Sequence, residues 1–173
     1  MEIRVYSRKD IEQGILMDLQ ENQKGIRLAC ISITDPGARP ARVWAHQLLH
    51  SGFKLRRLQF HDVNPEIEAN SYGVYRAMTS DHAFKVVDFL KECQDTVDLL
   101  AVHCEMGISR SAAVAAACAK ILGLDYEVFF QRPYQANLHC YELVLSAAGI
   151  PLPGSSKKCQ RSALSTDADA EEE

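Results

Sequence analysis

His103-Cys104-Glu105-Met106-Gly107-Ile108-Ser109-Arg110-Ser111 lies between an apolar run, Val97-Asp98-Leu99-Leu100-Ala101-Val102, and a run of small residues that begins at Ala112. The order reads as strand, loop, helix, with the helix running from about Arg110 to Leu122 and ending at Gly123, where a left-handed cap is cheap. A Cys and an Arg therefore stand on a loop that ends at a helix N-terminus. Successive backbone N–H groups and the helix dipole make such a loop an anion site.

The chemistry that suits these residues is displacement on phosphorus. The amides of Glu105 to Arg110, the helix N-terminus and Arg110 would favour a thiolate at Cys104, a nucleophile at neutral pH. Arg110 offers a planar fork of donors for two phosphate oxygens and stays charged as the phosphoryl group passes through the transition state, which Lys could not match. Gly107 suits a sharp turn close to a ligand, and the Ser111 hydroxyl can donate to the sulfur when it leaves. His103 is expected to fix the loop through its backbone and to add to the local positive field. A Cys followed six positions later by Arg arises by composition in about one chain in three, so that spacing alone decides nothing. His before the Cys, Gly third after it and Ser after the Arg lower the chance to about one in ten thousand.

The stretch resembles the signature loop of the cysteine-dependent protein tyrosine phosphatases, most of all the dual-specificity branch, which includes small bacterial and viral relatives. Ser109 and Ser111 on either side of Arg110 are typical of that branch; Met106 stands where most members carry Ala. The resemblance implies that the loop residues Glu105, Met106, Gly107, Ile108, Ser109 and Arg110 bind the phosphate and that Cys104 forms a phosphocysteine. It also implies that an Asp on a separate upstream loop protonates the leaving oxygen and then activates water.

Leu55-Arg56-Arg57-Leu58-Gln59-Phe60 reads as a strand ending in His61-Asp62-Val63-Asn64-Pro65. Asp62 thus stands at the carboxyl end of a strand, where open α/β sheets place their ligands, and is the candidate general acid. Phe60-His61-Asp62 matches the aromatic-x-Asp run of the small relatives. The separation from Cys104 implies an extended loop over about Val63 to Met78, in which Glu66, Glu68, Tyr72 and Tyr75 could shape a substrate lip. Asp35 and Asp81 compete for the acid's role but read more simply as a turn residue and a helix N-terminal residue. Near the other end, Asn137 resembles the Asn that opens the last helix and braces the signature loop, although Ala136 replaces the usual Pro; otherwise it is an ordinary N-cap.

The rest of the chain agrees with one α/β domain. Its 173 residues are 47% hydrophobic and 24% charged, enough for a single core and too few for a second domain. Met1 to Tyr6 alternates like a strand, and Ser7 with Asp10 has capping-box spacing. Ile26 to Thr34 is a strand closed by Asp35-Pro36-Gly37, and Thr79-Ser80-Asp81 opens a helix with Ala83, Val86, Val87, Phe89 and Leu90 as its stripe. Asp125 to Gln131 reads as a short helix. The expected architecture is a central, mostly parallel sheet of about four or five strands flanked by helices. Residues 1–150 are expected to form the single domain that the resemblance implies, a phosphatase domain, and 151–173 an acidic C-terminal tail with the composition of disorder.

Six cysteines without framework spacing, and a nucleophile that must stay reduced, point to the cytoplasm. The longest apolar run, Ala112 to Ala119, is too short for a membrane span, and the net charge of −4 argues against wholesale nucleic-acid binding. Between Pro36 and His61 there is no acidic residue, while Arg39, Arg42, Lys54, Arg56 and Arg57 could form a positive rim for phosphorylated substrate. His46 and His50 have a metal-binding spacing but lack a third ligand, so neither a metal nor another cofactor is expected.

The expected partner is a phosphorylated protein or peptide, carrying phosphotyrosine with or without phosphoserine and phosphothreonine; the oligomeric state is left open. Alternatives are a phosphoinositide or RNA 5′-phosphate phosphatase, a catalytically silent phosphate-binding module, or a redox sensor in which Cys104 pairs with Cys30 or Cys118.

Overall fold

The computed structural model describes residues 1–43, 52–65 and 74–152. Four strands, β1 (Glu2–Ser7), β2 (Leu28–Thr34), β3 (Lys54–Gln59) and β4 (Leu99–Cys104), pair in the order β1-β4-β2-β3, and every pairing is parallel. Parallel neighbours need crossovers, and helices lie on those from β1 to β2 and from β3 to β4, on opposite faces of the sheet. Helices α1 (Arg8–Glu12) and α2 (Ile15–Asn22) follow β1, α3 (Ser80–Cys93) precedes β4, and α4 (Arg110–Ile121) follows it. A 3₁₀ turn (Glu127–Phe130) and α5 (Leu138–Ala147) complete the described chain.

The period of the strands assigns the two faces. Ala29, Ile31, Ile33, Leu100, Val102 and Cys104 pack with α3, α4 and α5, whereas Leu28, Cys30, Leu99 and Ala101 pack with Ile11 and Leu16 on the other face. β4 is paired on both edges and buried at every position, so its continuous apolar sequence is that of an inner strand. The strand begins two residues later than Val97 and runs through Cys104 itself.

Local signals in the sequence act as caps. Ser7 accepts from the Asp10 amide at 3.1 Å while its own amide donates to the Asp10 carboxylate at 2.9 Å, closing the box that starts α1. Thr79 caps α3 with His82 as the reciprocal partner, and Ala83, Val86, Val87, Phe89, Leu90 and Cys93 are that helix's buried stripe. Gly123 ends α4 with φ +69°. His46 and His50, the lip residues Glu66, Glu68 and Tyr72, and the tail from 153 onward lie outside the described residues.

Candidate active site

Cys104 is the last residue of the inner strand, and the loop that follows turns back over the carboxyl end of β1. Ser7 is its neighbour in register. At Gly107 the backbone has φ +71°, and a Cβ there would stand 2.7 Å from both the Ser7 nitrogen and the Tyr6 carbonyl carbon. Only glycine permits this approach.

The loop is held by its carbonyls. Glu105 O accepts from the Arg8 amide at 3.1 Å, Ile108 O from Gln135 at 3.0 Å, and Ser109 O from Ala113 at 2.9 Å and Asn137 at 3.4 Å. Among the described residues, no backbone amide from Glu105 to Arg110 donates a hydrogen bond within the protein. Carbonyls turned outward and amides left over make a cradle of donors at the start of α4.

Cys104 is 2% exposed, and its Sγ lies 3.0 Å from the Ser111 Oγ. Arg110 is 4% exposed. Its Nη1 donates to the Asp35 carboxylate at 2.6 Å and to the Phe60 carbonyl at 2.7 Å, and its buried Nε has no partner. A guanidinium so buried needs a counter-charge, which Asp35 supplies from the end of β2. The remaining donor edge is available to an oxyanion.

Asp62 follows β3 and reaches the same loop: its Oδ1 accepts from Ser109 Oγ at 2.8 Å and from Asn137 Nδ2 at 2.9 Å. The backbone behind it is closed by His61 and Arg76, with the His61 amide donating to Arg76 O at 2.8 Å and the Arg76 amide to His61 Nδ1 at 2.9 Å. Tyr75 meets the His61 ring edge-on at 5.4 Å. Thus Cys104, Arg110, Ser111, Asp62, Ser109 and Asn137, drawn from three separate segments, come together at the carboxyl end of the sheet.

No family model and no curated protein matches the sequence. Solved structures do. The chain is similar to the human tyrosine phosphatase-like serine/threonine/tyrosine-interacting protein, with 19% identity over 85% of this chain and 91% of that one and a TM-score of 0.51. It is similar to human DUSP28, with 18% identity, 85% and 91% coverage and a TM-score of 0.54. It is also similar to PTPMT1 in complex with PI(5)P, with 17% identity, 86% and 93% coverage and a TM-score of 0.52. The fold is that of the dual-specificity phosphatases.

Within this dual-specificity phosphatase fold several expectations change. His103 is fully buried, and burial first, then the guanidiniums of Arg57 and Arg8, pulls it down to about 4, so it is neutral and adds no positive field. Its Nδ1 sits 3.5 Å from the Cys104 carbonyl, and its Nε2 has no partner. Asn137 does meet the signature loop, through its backbone at Ser109 O, but its side-chain nitrogen goes to Asp62 and its oxygen caps α5 by accepting from the Cys140 amide at 3.1 Å.

Asp35 is not in a position to act as a free acid, because it is bound to Arg110. Asp81, in the first turn of α3, is an exposed residue paired with Lys85 at 3.2 Å. The role of Asp35 was missed in the sequence; its signal was an acid at the carboxyl end of an inner strand, on the side where a buried Arg needs a partner.

The basic run does not form one rim. Lys54 stands at the opposite end of β3 from the loop and donates to Thr96, Arg56 lies over Phe89 of α3, and Arg57 donates to the Ala41 carbonyl. On the loop's own side, Arg8 joins Glu105 and Glu12 and donates to the Arg39 carbonyl.

Cys30 is on the face of the sheet opposite Cys104, so the two do not face each other. Cys118 shares the face of Cys104, but lies two turns along α4 from Arg110. Burial pushes the thiols of Cys30, Cys118 and Cys140 up to about 12 and that of Cys93 up to about 11, values that leave them unreactive at neutral pH.

Proposed function

We propose that the chain is a cysteine-dependent phosphomonoesterase acting on phosphotyrosine, with or without phosphoserine and phosphothreonine, in proteins. The observation that carries this reading is Cys104 Sγ buried beside Ser111 Oγ at the start of a helix, in the same loop as a guanidinium fixed by Asp35 and Phe60 O.

The phosphoryl group sits in the cradle of Glu105 to Arg110 amides, with two of its oxygens on the donors of Arg110. The Cys104 thiolate forms the S–P bond as the P–O bond breaks, and the proton on Asp62 passes to the departing oxygen. Water then adds to phosphorus while the Asp62 carboxylate takes its proton. The S–P bond breaks, and Ser111 donates to the sulfur that leaves. Charge that develops on the equatorial oxygens is met by donors already in place.

For the substrate, Met106 of the loop is 69% exposed and offers an apolar edge to a phenyl ring. Between Cys104 and Arg110 there is no basic residue, and Glu105 is an acid paired with Arg8; both features suit an aryl phosphate better than a headgroup with several phosphates. A phosphoinositide remains the second reading because PTPMT1, which shares the fold, is seen with PI(5)P. A thiol nucleophile requires a reducing compartment, which supports the cytoplasm. Among the described residues no helix is long and apolar enough to cross a membrane.

The test is hydrolysis of para-nitrophenyl phosphate in EDTA and reductant, followed by competition between a phosphotyrosine peptide and a PI(5)P vesicle. Turnover that Cys104→Ser abolishes and the peptide inhibits is expected. Turnover that persists in Cys104→Ser refutes the reading, and inhibition by the vesicle alone replaces its substrate class.

A further inference from the structure

Two helix N-caps point at one carboxylate oxygen. Ser109 is the N-cap of α4, a place where a Ser hydroxyl ordinarily accepts from an amide in the first turn. Here it makes no such cap bond and donates to Asp62 Oδ1 instead. Asn137 is the N-cap of α5, and its oxygen does accept from the helix, at Cys140 N. With the oxygen committed to the cap, the amide nitrogen is forced to the other side, where it meets the same Asp62 Oδ1. An Asn here has one orientation that satisfies the helix, and that orientation aims its donor at the acid.

Asp62 is itself an exposed residue on a connection between β3 and α3. An exposed carboxyl on such a segment would otherwise spread over several rotamers, a cost that proton transfer must meet in each turnover. Both donors converge on Oδ1, so Oδ2 is the oxygen left to carry the proton toward the phosphate cradle. Ser109 gives up its cap bond, which also leaves the first amides of α4 for the phosphate.

We propose that Ser109 and Asn137 are positioning residues for Asp62, holding its carboxyl so that Oδ2 faces the leaving oxygen. This rests on the phosphatase reading above. Neither side chain touches the substrate in this role; each acts through Asp62. The consequence is specific. Losing either bond harms substrates whose leaving group needs a proton, such as phenyl phosphate, far more than 2,4-dinitrophenyl phosphate, whose phenolate leaves unaided.

The experiment measures kcat/KM for both phosphates in the full chain and in Ser109→Ala, Asn137→Ser and Asp62→Asn. Asn137→Ser keeps a hydroxyl to cap α5 but is too short to reach Asp62. The ratio of kcat/KM, phenyl over dinitrophenyl, is expected to fall about tenfold or more in each of the first two variants. In an Asp62→Asn background the same substitutions are expected to leave that ratio unmoved. Equal losses on both substrates would assign the two residues to loop or helix stability and overturn the proposal, as would an unchanged ratio. If the parent's turnover survives Cys104→Ser, the phosphatase reading fails; if it needs Cys104 and Asp62 but the ratio ignores Ser109 and Asn137, only the positioning role fails.

Discussion

Asp35 and Asp62 follow neighbouring parallel strands and lean toward the same loop, yet they take opposite kinds of partner. Asp35 meets a buried guanidinium at 2.6 Å, and Asp62 meets a hydroxyl and an amide at 2.8 and 2.9 Å. The Asp35 carboxylate offsets the charge of a guanidinium taken out of water, and removing it would leave Arg110 without a counter-charge in the interior. The hydroxyl and the amide on Asp62 fix the orientation of its carboxyl and pair no charge. Two acids with the same place in the topology are thus separated by their partners, and in the proposed mechanism one holds Arg110 for the phosphate while the other moves the proton.

The largest effect that sharpens this contrast is at Asp62. Asp62→Asn should lower kcat on phenyl phosphate by about 10²- to 10⁴-fold with little change in KM, measured by steady-state kinetics. If Asp35→Asn gave that signature instead, the two roles would be exchanged.

Next in size is a stability effect from His103, the buried residue of β4 that stands just before Cys104. Its folded value of about 4 lies below the ordinary 6.5, so between these values the unfolded chain binds a proton that the native one refuses. Stability is complete above about pH 6.5 and falls as the pH drops toward 4, by up to about 3 kcal/mol. Urea unfolding across that range checks the slope, and a His103→Gln variant should lose this part of it.

Asp35→Asn comes third. It should raise KM for phenyl and dinitrophenyl phosphates alike, by about tenfold, through a loosened Arg110. A leaving-group dependence in that variant would blur the comparison. Asp81→Asn is the smallest, since Asp81 has an exposed partner one turn away; both activity and melting temperature should be unchanged within error, as is usual for such pairs.

What the sequence disclosed and what it hid divide along the range of the interactions. The strand, the loop, α4 and its Gly123 end were legible because each rests on neighbours in the chain, and the same holds for the Ser7–Asp10 box and the α3 stripe. The contacts that assign roles join residues 75 apart for Arg110 and Asp35, 47 for Ser109 and Asp62, and 75 for Asn137 and Asp62, and no local pattern encodes them. His103 misled because its neighbourhood to Cys104 suggested charge, whereas its place within an inner strand dictated burial. The basic run misled for a related reason: successive strand residues point to opposite faces, and the two ends of β3 are far from each other.

The most direct test of the central claim is to trap the covalent intermediate. Asp62→Asn protein, in which the second step also lacks its base, is mixed with para-nitrophenyl phosphate, quenched in acid, digested and analysed by mass spectrometry. A phosphate adduct on the peptide that contains Cys104, absent from the Cys104→Ser control, is the expected result. Para-nitrophenol release with no adduct on Cys104, or an adduct on another residue, would contradict the account.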